Sequence, residues 1–178
     1  AEGWSLSVLD LTHDLGPYVF AAVAAGPSPR QLAIGLGCHL DGRLAIQRAL
    51  AELNQLRGPG EQGNTRLDLD ALPSRAYLAP DPSERLAGPE CFPGLGKADL
   101  GADVTSCVDR LARRGLDVIV VDKTRPDLGI PVAQVLVPGL RHFWPRFGPG
   151  RLFTVPVELG WSSAAASEDD LNPVAFLL

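Results

Sequence analysis

The side chains with most chemical potential lie between residues 35 and 55. Asp41, Ala45, Arg48, Glu52 and Gln55 recur at intervals of four, three, four and three residues, a spacing that keeps them on one face of a helix. That stripe offers a carboxylate, a guanidinium and an amide. Carboxylates bind Mg2+, Mg2+ bridges phosphate oxygens, and Arg and Gln donate hydrogen bonds to phosphate or to the edge of a base. The same spacing equally describes an ordinary Arg48–Glu52 ion pair on a solvated helix face, worth about 0.2–0.5 kcal/mol. His39, just ahead of the helix, either orients a ligand or is a satisfied structural histidine.

Other candidates carry less. Gly35-Leu36-Gly37 has neither of the glycine spacings that cradle phosphates. Cys38 beside His39 suggests a nucleophile and its base, but neighbours in a strand point to opposite faces. His13 and His142 stand alone in loops, and Ser162-Ser163 before three alanines reads as linker. Three cysteines at 38, 91 and 107 are an odd number at unrelated spacings. They form neither a disulfide framework nor a zinc motif, which points to a reducing, cytoplasmic setting.

The elements that must hold the stripe follow from periodicity. Residues 5–11 alternate apolar and polar as a strand, and 12–16 form a turn. Residues 17–25 are a short apolar run bounded by Pro and Gly, which reads as a buried strand. Residues 31–39 are a third strand, with Gly35 and Gly37 marking a bulge or a close backbone approach. Residues 41–56 are the clearest helix, capped by Asp41 and stopped by Gly58-Pro59-Gly60, with Leu44, Ile46, Leu50, Leu53 and Leu56 spread over its apolar side. Residues 57–98 form a long irregular insertion holding at most a short helix, either functional or an ordered covering loop. A second helix spans 99–114 with Gly115 closing it. Strands follow at 116–122 and 130–137, and 162–178 is a tail.

The two halves also resemble each other. Leu9-Asp10-Leu11-Thr12-His13-Asp14-Leu15-Gly16-Pro17-Tyr18-Val19 matches residues 121–132 as strand, D-x-T, D-L-G, strand, with one residue inserted. Chance is the competing explanation, since hairpin loops favour Asp, Gly and Pro. A strand pair beside a helix in each half predicts an α+β fold, with mixed or antiparallel sheets flanked by helices.

Composition narrows the function. A chain of 178 residues fits one domain, and 46% hydrophobic with 21% charged residues is ordinary for a globular protein. A net charge of −5 argues against nucleic acid and anionic membranes as partners. No apolar run nears the roughly 18 residues that span a bilayer, and no secretory signal pattern opens the chain. The absence of methionine leads us to expect a piece of something longer, or a processed or trimmed product.

Gly35-Leu36-Gly37-Cys38-His39-Leu40-Asp41, followed by Ala45 and Arg48-Ala49-Leu50-Ala51-Glu52-Leu53-Asn54-Gln55, resembles the G-x-G-x-H-x-D … R-A-L-x-E-x-x-Q signature of the YcaO family. Asp117–Asp122, Thr124–Asp127, Gly129–Val132 and Val135–Leu140 are similar to the family's next blocks. Arg141-His142-Phe143-Trp144, Gly150-Arg151-Leu152 and Leu171-Asn172-Pro173 resemble its azoline-forming subgroup. The resemblance implies that residues 1–178 are the C-terminal portion of a single YcaO-like domain. It implies a cyclodehydratase: a Cys, Ser or Thr side chain attacks the preceding backbone carbonyl, ATP phosphorylates the oxyanion, and phosphate leaves to give a thiazoline or oxazoline. Carried over by motif, Glu52 binds Mg2+, while Arg48, Gln55 and His39 lie at the ATP. The implied partners are a ribosomally made precursor peptide, a leader-peptide-binding protein or domain, the N-terminal part of the same enzyme, and a second copy in a homodimer. Thioamide or amidine formation, and a non-catalytic peptide-binding scaffold, are the alternatives. Three features depart from the family pattern. No S-x-x-x-E-x-x-E-R motif is present, Gln134 stands where an Arg is common, and the tail lacks P-x-P-x-P.

Overall fold

A computed structural model describes residues 3–28, 31–56, 78–83, 87–96, 99–140 and 149–171. The chain forms two compact units, residues 1–96 with 166–178, and residues 97–165. The fold is α+β, with antiparallel sheets and helices.

The first unit is a three-stranded antiparallel sheet in the order β1 (Ser5–Asp10), β2 (Tyr18–Ala25), β3 (Leu32–His39), with helix α1 (Gly42–Leu56) packed across β2 and β3. β2 is central and buried nearly throughout, as its unbroken apolar run requires. Phe20, Ala22, Ala24 and Ala33 meet Ala45, Ala49 and Leu53 of α1 in the main core, with Trp4, Tyr18, Ile46, Leu50 and Phe92 around them. The sheet's other face carries Val23, Leu32 and Ile34 against Leu9, Ala25 and Leu78.

The helix does not bury the side that leucine count suggests. Ala45 belongs to the expected polar stripe, yet it and Ala49 are fully buried, whereas Leu44 is 43% exposed. The reason lies in β3. A Cβ added at Gly35 would stand 2.7 Å from the Leu53 Cα, and one at Gly37 would stand 3.1 Å from the Ala49 Cα; in each case backbone atoms of α1 lie closer still. The two glycines let the helix rest directly on the strand, and only small side chains fit at the seam. The close-approach alternative for Gly35 and Gly37 is therefore the one observed, and the bulge is not: β2 and β3 pair without a break from Tyr18↔His39 to Ala25↔Leu32.

Within the span 57–98, residues 57–77, 84–86 and 97–98 lie outside the described residues; the remainder includes one 3-10 turn, Pro89–Cys91. Phe92 after it is an anchor. Its ring meets Phe20 edge-on at 5.0 Å and Tyr18 at 5.7 Å, and a Cβ on Gly42 would collide with it. The Leu95 N–H donates to Leu40 O at 2.7 Å, tying this segment to the start of α1.

The second unit holds helix α2 (Leu100–Ala112), the antiparallel pair β4 (Ile119–Asp122) and β5 (Ala133–Leu136), and helix α3 (Arg151–Glu158). Asp99 caps α2 by accepting from the Gly101 and Ala102 N–H groups, and Gly115 takes the left-handed conformation (φ 69°) beyond its end. The two strands are shorter than the apolar runs 116–122 and 130–137. α3 forms with Pro156 inside it and buries Phe153 and Val155. The Arg141–Trp144 block with His142, and Asn172-Pro173, lie outside the described residues.

The internal likeness of the two halves is physical. In the first turn the Thr12 N–H donates to Asp10 Oδ1 at 2.8 Å, the Val19 N–H to Thr12 Oγ1 at 3.1 Å, and the Leu11 N–H to Val19 O at 2.8 Å. In the second, the Thr124 N–H donates to Asp122 Oδ1 at 2.8 Å, the Val132 N–H to Thr124 Oγ1 at 3.1 Å, and the Lys123 N–H to Val132 O at 2.8 Å. Shared turn residues alone do not reproduce a threonine hydroxyl bonded across the loop.

Candidate functional site

The site is built at the C-terminal end of β3 and along one edge of α1. Asp41 joins them. Its Oδ1 accepts from the Arg43 N–H at 2.8 Å and the Leu44 N–H at 3.4 Å, and its carbonyl accepts from Ala45 at 3.0 Å, so it is the N-cap of α1. The Asp41 N–H in turn donates to His39 Nδ1 at 2.9 Å. An Nδ1 that accepts leaves Nε2 as the nitrogen that donates in the neutral ring. His39 is half-buried, and its ring is held at the junction by this bond.

Arg48 and Glu52 turn to β3 rather than to each other. The Leu11 N–H bond to Val19 O puts the Val19 peptide groups on the β1 side of β2, so Tyr18, Phe20 and Ala22 pair with His39, Gly37 and Gly35. The Leu36 and Cys38 peptide groups therefore point away from β2. Arg48 donates through NH1 to Cys38 O at 3.0 Å, and Glu52 Oε2 accepts from the Leu36 N–H. The surface ion pair allowed by the spacing is not formed. Gln55 lies one turn beyond Glu52 and is exposed, as is Arg48; Glu52 is half-buried.

This arrangement fits a share of a Mg2+–nucleotide site. Glu52 engages one oxygen in the structure, leaving Oε1 for a cation, and Arg48 has guanidinium N–H groups beyond the one given to Cys38. A Mg2+ bound by one or two carboxylates and substrate phosphates asks no more of a single helix. Among the described residues no cluster of three or more His, Cys, Asp or Glu could cage a metal alone. A small apolar cavity of about 170 Å3 lies at the opposite end of β3, between Ala25, Leu32 and Leu78, away from these groups.

Four exposed carboxylates are held below the usual range by turn and cap contacts. Asp122 is held below the usual range by the Thr124 hydroxyl and then by the Thr124 N–H. Arg125 does the same to Asp127, and Ser83 to Asp81, while the Ser167 N–H and hydroxyl lower Asp170. All four are exposed staples of turns and caps, not acid–base groups. Phe92 and its hold on the start of α1 were invisible in the sequence, where a lone aromatic in a Pro- and Gly-rich stretch signals nothing. His13 donates no chemistry to the site; its Nδ1 accepts from the Leu15 N–H and lies 3.5 Å from Asp14.

A family model described as YcaO cyclodehydratase, ATP- and Mg2+-binding, matches residues 1–141. An uncharacterized protein of Methanothermobacter thermautotrophicus is 34% identical over 161 residues, covering 80% of this chain and 41% of that protein. The structure of the heterocyclase TruD matches with a TM-score of 0.84 at 37% identity, over 99% of this chain and 26% of that one. A heterocyclase in complex with substrate and cofactor matches with a TM-score of 0.81 at 39% identity, over 97% of this chain and 25% of that one. The chain thus spans about a quarter of those heterocyclases and less than half of the Methanothermobacter protein.

Proposed function

The chain belongs to the YcaO family, and from that premise we propose that it forms part of an ATP-dependent cyclodehydratase acting on backbone amides of a precursor peptide. The observation that carries this reading is the edge of α1: Arg48, Glu52 and Gln55 follow one another along it, backed by His39, on a helix that Gly35 and Gly37 lock to the sheet. ATP, when bound with Mg2+, supplies the phosphoryl group that lets an amide oxygen depart. Glu52 contributes one carboxylate oxygen to the cation. Arg48 and Gln55 donate to the nucleotide, and His39 presents its Nε2 side. Positioning and charge neutralisation are what phosphoryl transfer asks of a protein. The peptide's own Cys, Ser or Thr is the nucleophile, so no nucleophile is required from this chain. The precursor peptide, a leader-peptide-binding partner and further polypeptide of the same enzyme complete the assembly.

A second reading has one observation behind it. Glu52 and Arg48 already satisfy backbone groups of β3, as they would in a peptide-binding scaffold without ATP chemistry. Calorimetry and turnover on the complete enzyme separate the two. Glu52→Ala is expected to weaken Mg2+–ATP binding at least about tenfold and Glu52→Asp less, since only the first removes the charge. With peptide and ATP, each ring formed lowers the product mass by about 18 Da, one water, and consumes ATP. Unchanged ATP affinity in Glu52→Ala, or peptide bound without mass loss by the wild type, overturns the enzymatic reading.

A further inference from the structure

The repeat extends beyond the turns. Asp10, Leu9, Val8 and Ser7 stand opposite Phe20, Ala21, Ala22 and Val23; Asp122, Val121, Val120 and Ile119 stand opposite Ala133, Gln134, Val135 and Leu136. Four successive pairs in the same register, after identically bonded turns, make β4–β5 a structural counterpart of β1–β2.

What differs is the cover. In the first unit Phe20 and Ala22 lie under α1 at 2% and 0% exposure, and their strand pairs on its far side with Gly37 and Gly35 of β3. In the second unit the counterpart of Ala22 is Val135, 58% exposed, and its cross-strand partner Val120 is 63% exposed. The described sheet there has only two strands, so the side of β5 away from β4 has no described strand beside it. By the alternation seen in β2, the peptide groups of Ala133 and Val135 point to that side. Helix α2, which precedes β4 in the chain, buries none of its residues and leaves Leu100, Val104 and Val108 exposed. An aliphatic face joined to an unpaired strand edge is a surface for association.

We propose that the β5 edge and the Val120–Val135 face dock one strand and one helix, arranged as β3 and α1 are in the first unit. The occupant is further polypeptide of the YcaO fold, lying outside the stretch spanned here. Three observations select it. The repeat prescribes a strand followed by a helix. This chain's own β3 and α1 are already seated on β2, and a second copy would bring only the same occupied pair. The two matched heterocyclases are about four times as long as the portion covered here, so they hold ample polypeptide for the purpose. The geometry also describes the occupant. Val135 stands where Ala22 stands in the first unit, so the docking helix sits farther from the sheet than α1. The proposal rests on the repeat and is independent of ATP binding.

The test uses TruD with its matched quarter removed, in a form selected because it rebinds that quarter in trans. Mixed with the 178-residue chain, it is expected to give a one-to-one complex by light scattering, with hydrogen exchange at Ala133 and Val135 slowed at least about tenfold. Val120→Lys and Val135→Lys, both at exposed positions, should leave the free chain's melting unchanged and weaken the complex about tenfold or more. Ala133→Pro, which deletes an edge N–H, should weaken it too. No complex, a complex indifferent to all three substitutions, or self-association of the chain through this edge overturns the proposal.

Discussion

Gly35→Ala isolates what holds the candidate site in place. The added Cβ would lie 2.7 Å from the Leu53 Cα, against 3.4 Å for an ordinary contact, and the Leu53 N and Ala49 O atoms are nearer still. The helix must therefore lift by about 1 Å, because close-packed interiors have no slack to absorb a methyl group. The obstacles include helix backbone, so no rotamer change relieves them and Ala49→Gly will not rescue. Overpacking of this kind costs about 1–3 kcal/mol. Lifting α1 also loosens the burial of Ala45, Ala49 and Leu53 and stretches the Glu52 and Arg48 bonds to β3. We expect a total near 3 kcal/mol, which for a unit of roughly 100 residues lowers Tm by about 10–20 °C. Gly37→Ala acts on the same helix, so the double variant should cost less than the two losses together. Urea and thermal melts of the first unit measure this, with Leu36→Ala, at an exposed neighbour, as the control. A loss below about 0.5 kcal/mol for Gly35→Ala would refute the direct seating of α1 on β3.

Phe92→Ala should cost about 2–3 kcal/mol, because the ring is half-buried against Phe20 and Tyr18, and should speed exchange of the Leu95 amide. Thr12→Val and Thr124→Val each remove one hydroxyl acceptor from equivalent turns, so each should cost about 0.5–1.5 kcal/mol by denaturant titration, the exposed Thr124 bond no more than the part-buried Thr12 bond; no loss at either turn would contradict the bonded repeat. Asp122 is depressed in the folded chain, so its stabilising share is complete above the unfolded carboxylate value near about 4 and is lost as pH falls through the lower folded value. An NMR titration should find Asp122 below the ordinary range, and Asp122→Asn should remove its part of the acid destabilisation of the β4–β5 hairpin while leaving that of Asp127.

The α+β class, three consecutive strands, both capped helices and the family are legible in the residues alone, because these depend on local quantities: period-two and period-3.6 patterning, Asp at N-caps, Gly beyond a helix end, and spaced motif residues. So is the repeat, whose D-x-T turn is bonded entirely within one loop. Which face of α1 is buried emerges from the folded chain, since that depends on Gly35 and Gly37 in another element rather than on the helix's own leucines. The fold also brings Arg48 and Glu52 to β3 instead of to each other, because the side of β3 away from β2 presents an N–H and a C=O at their reach. It revealed Phe92 as an anchor, a matter of contacts with strand residues about seventy positions earlier. And it formed α3 around Pro156, where burial of Phe153 and Val155 outweighs the local preference to stop.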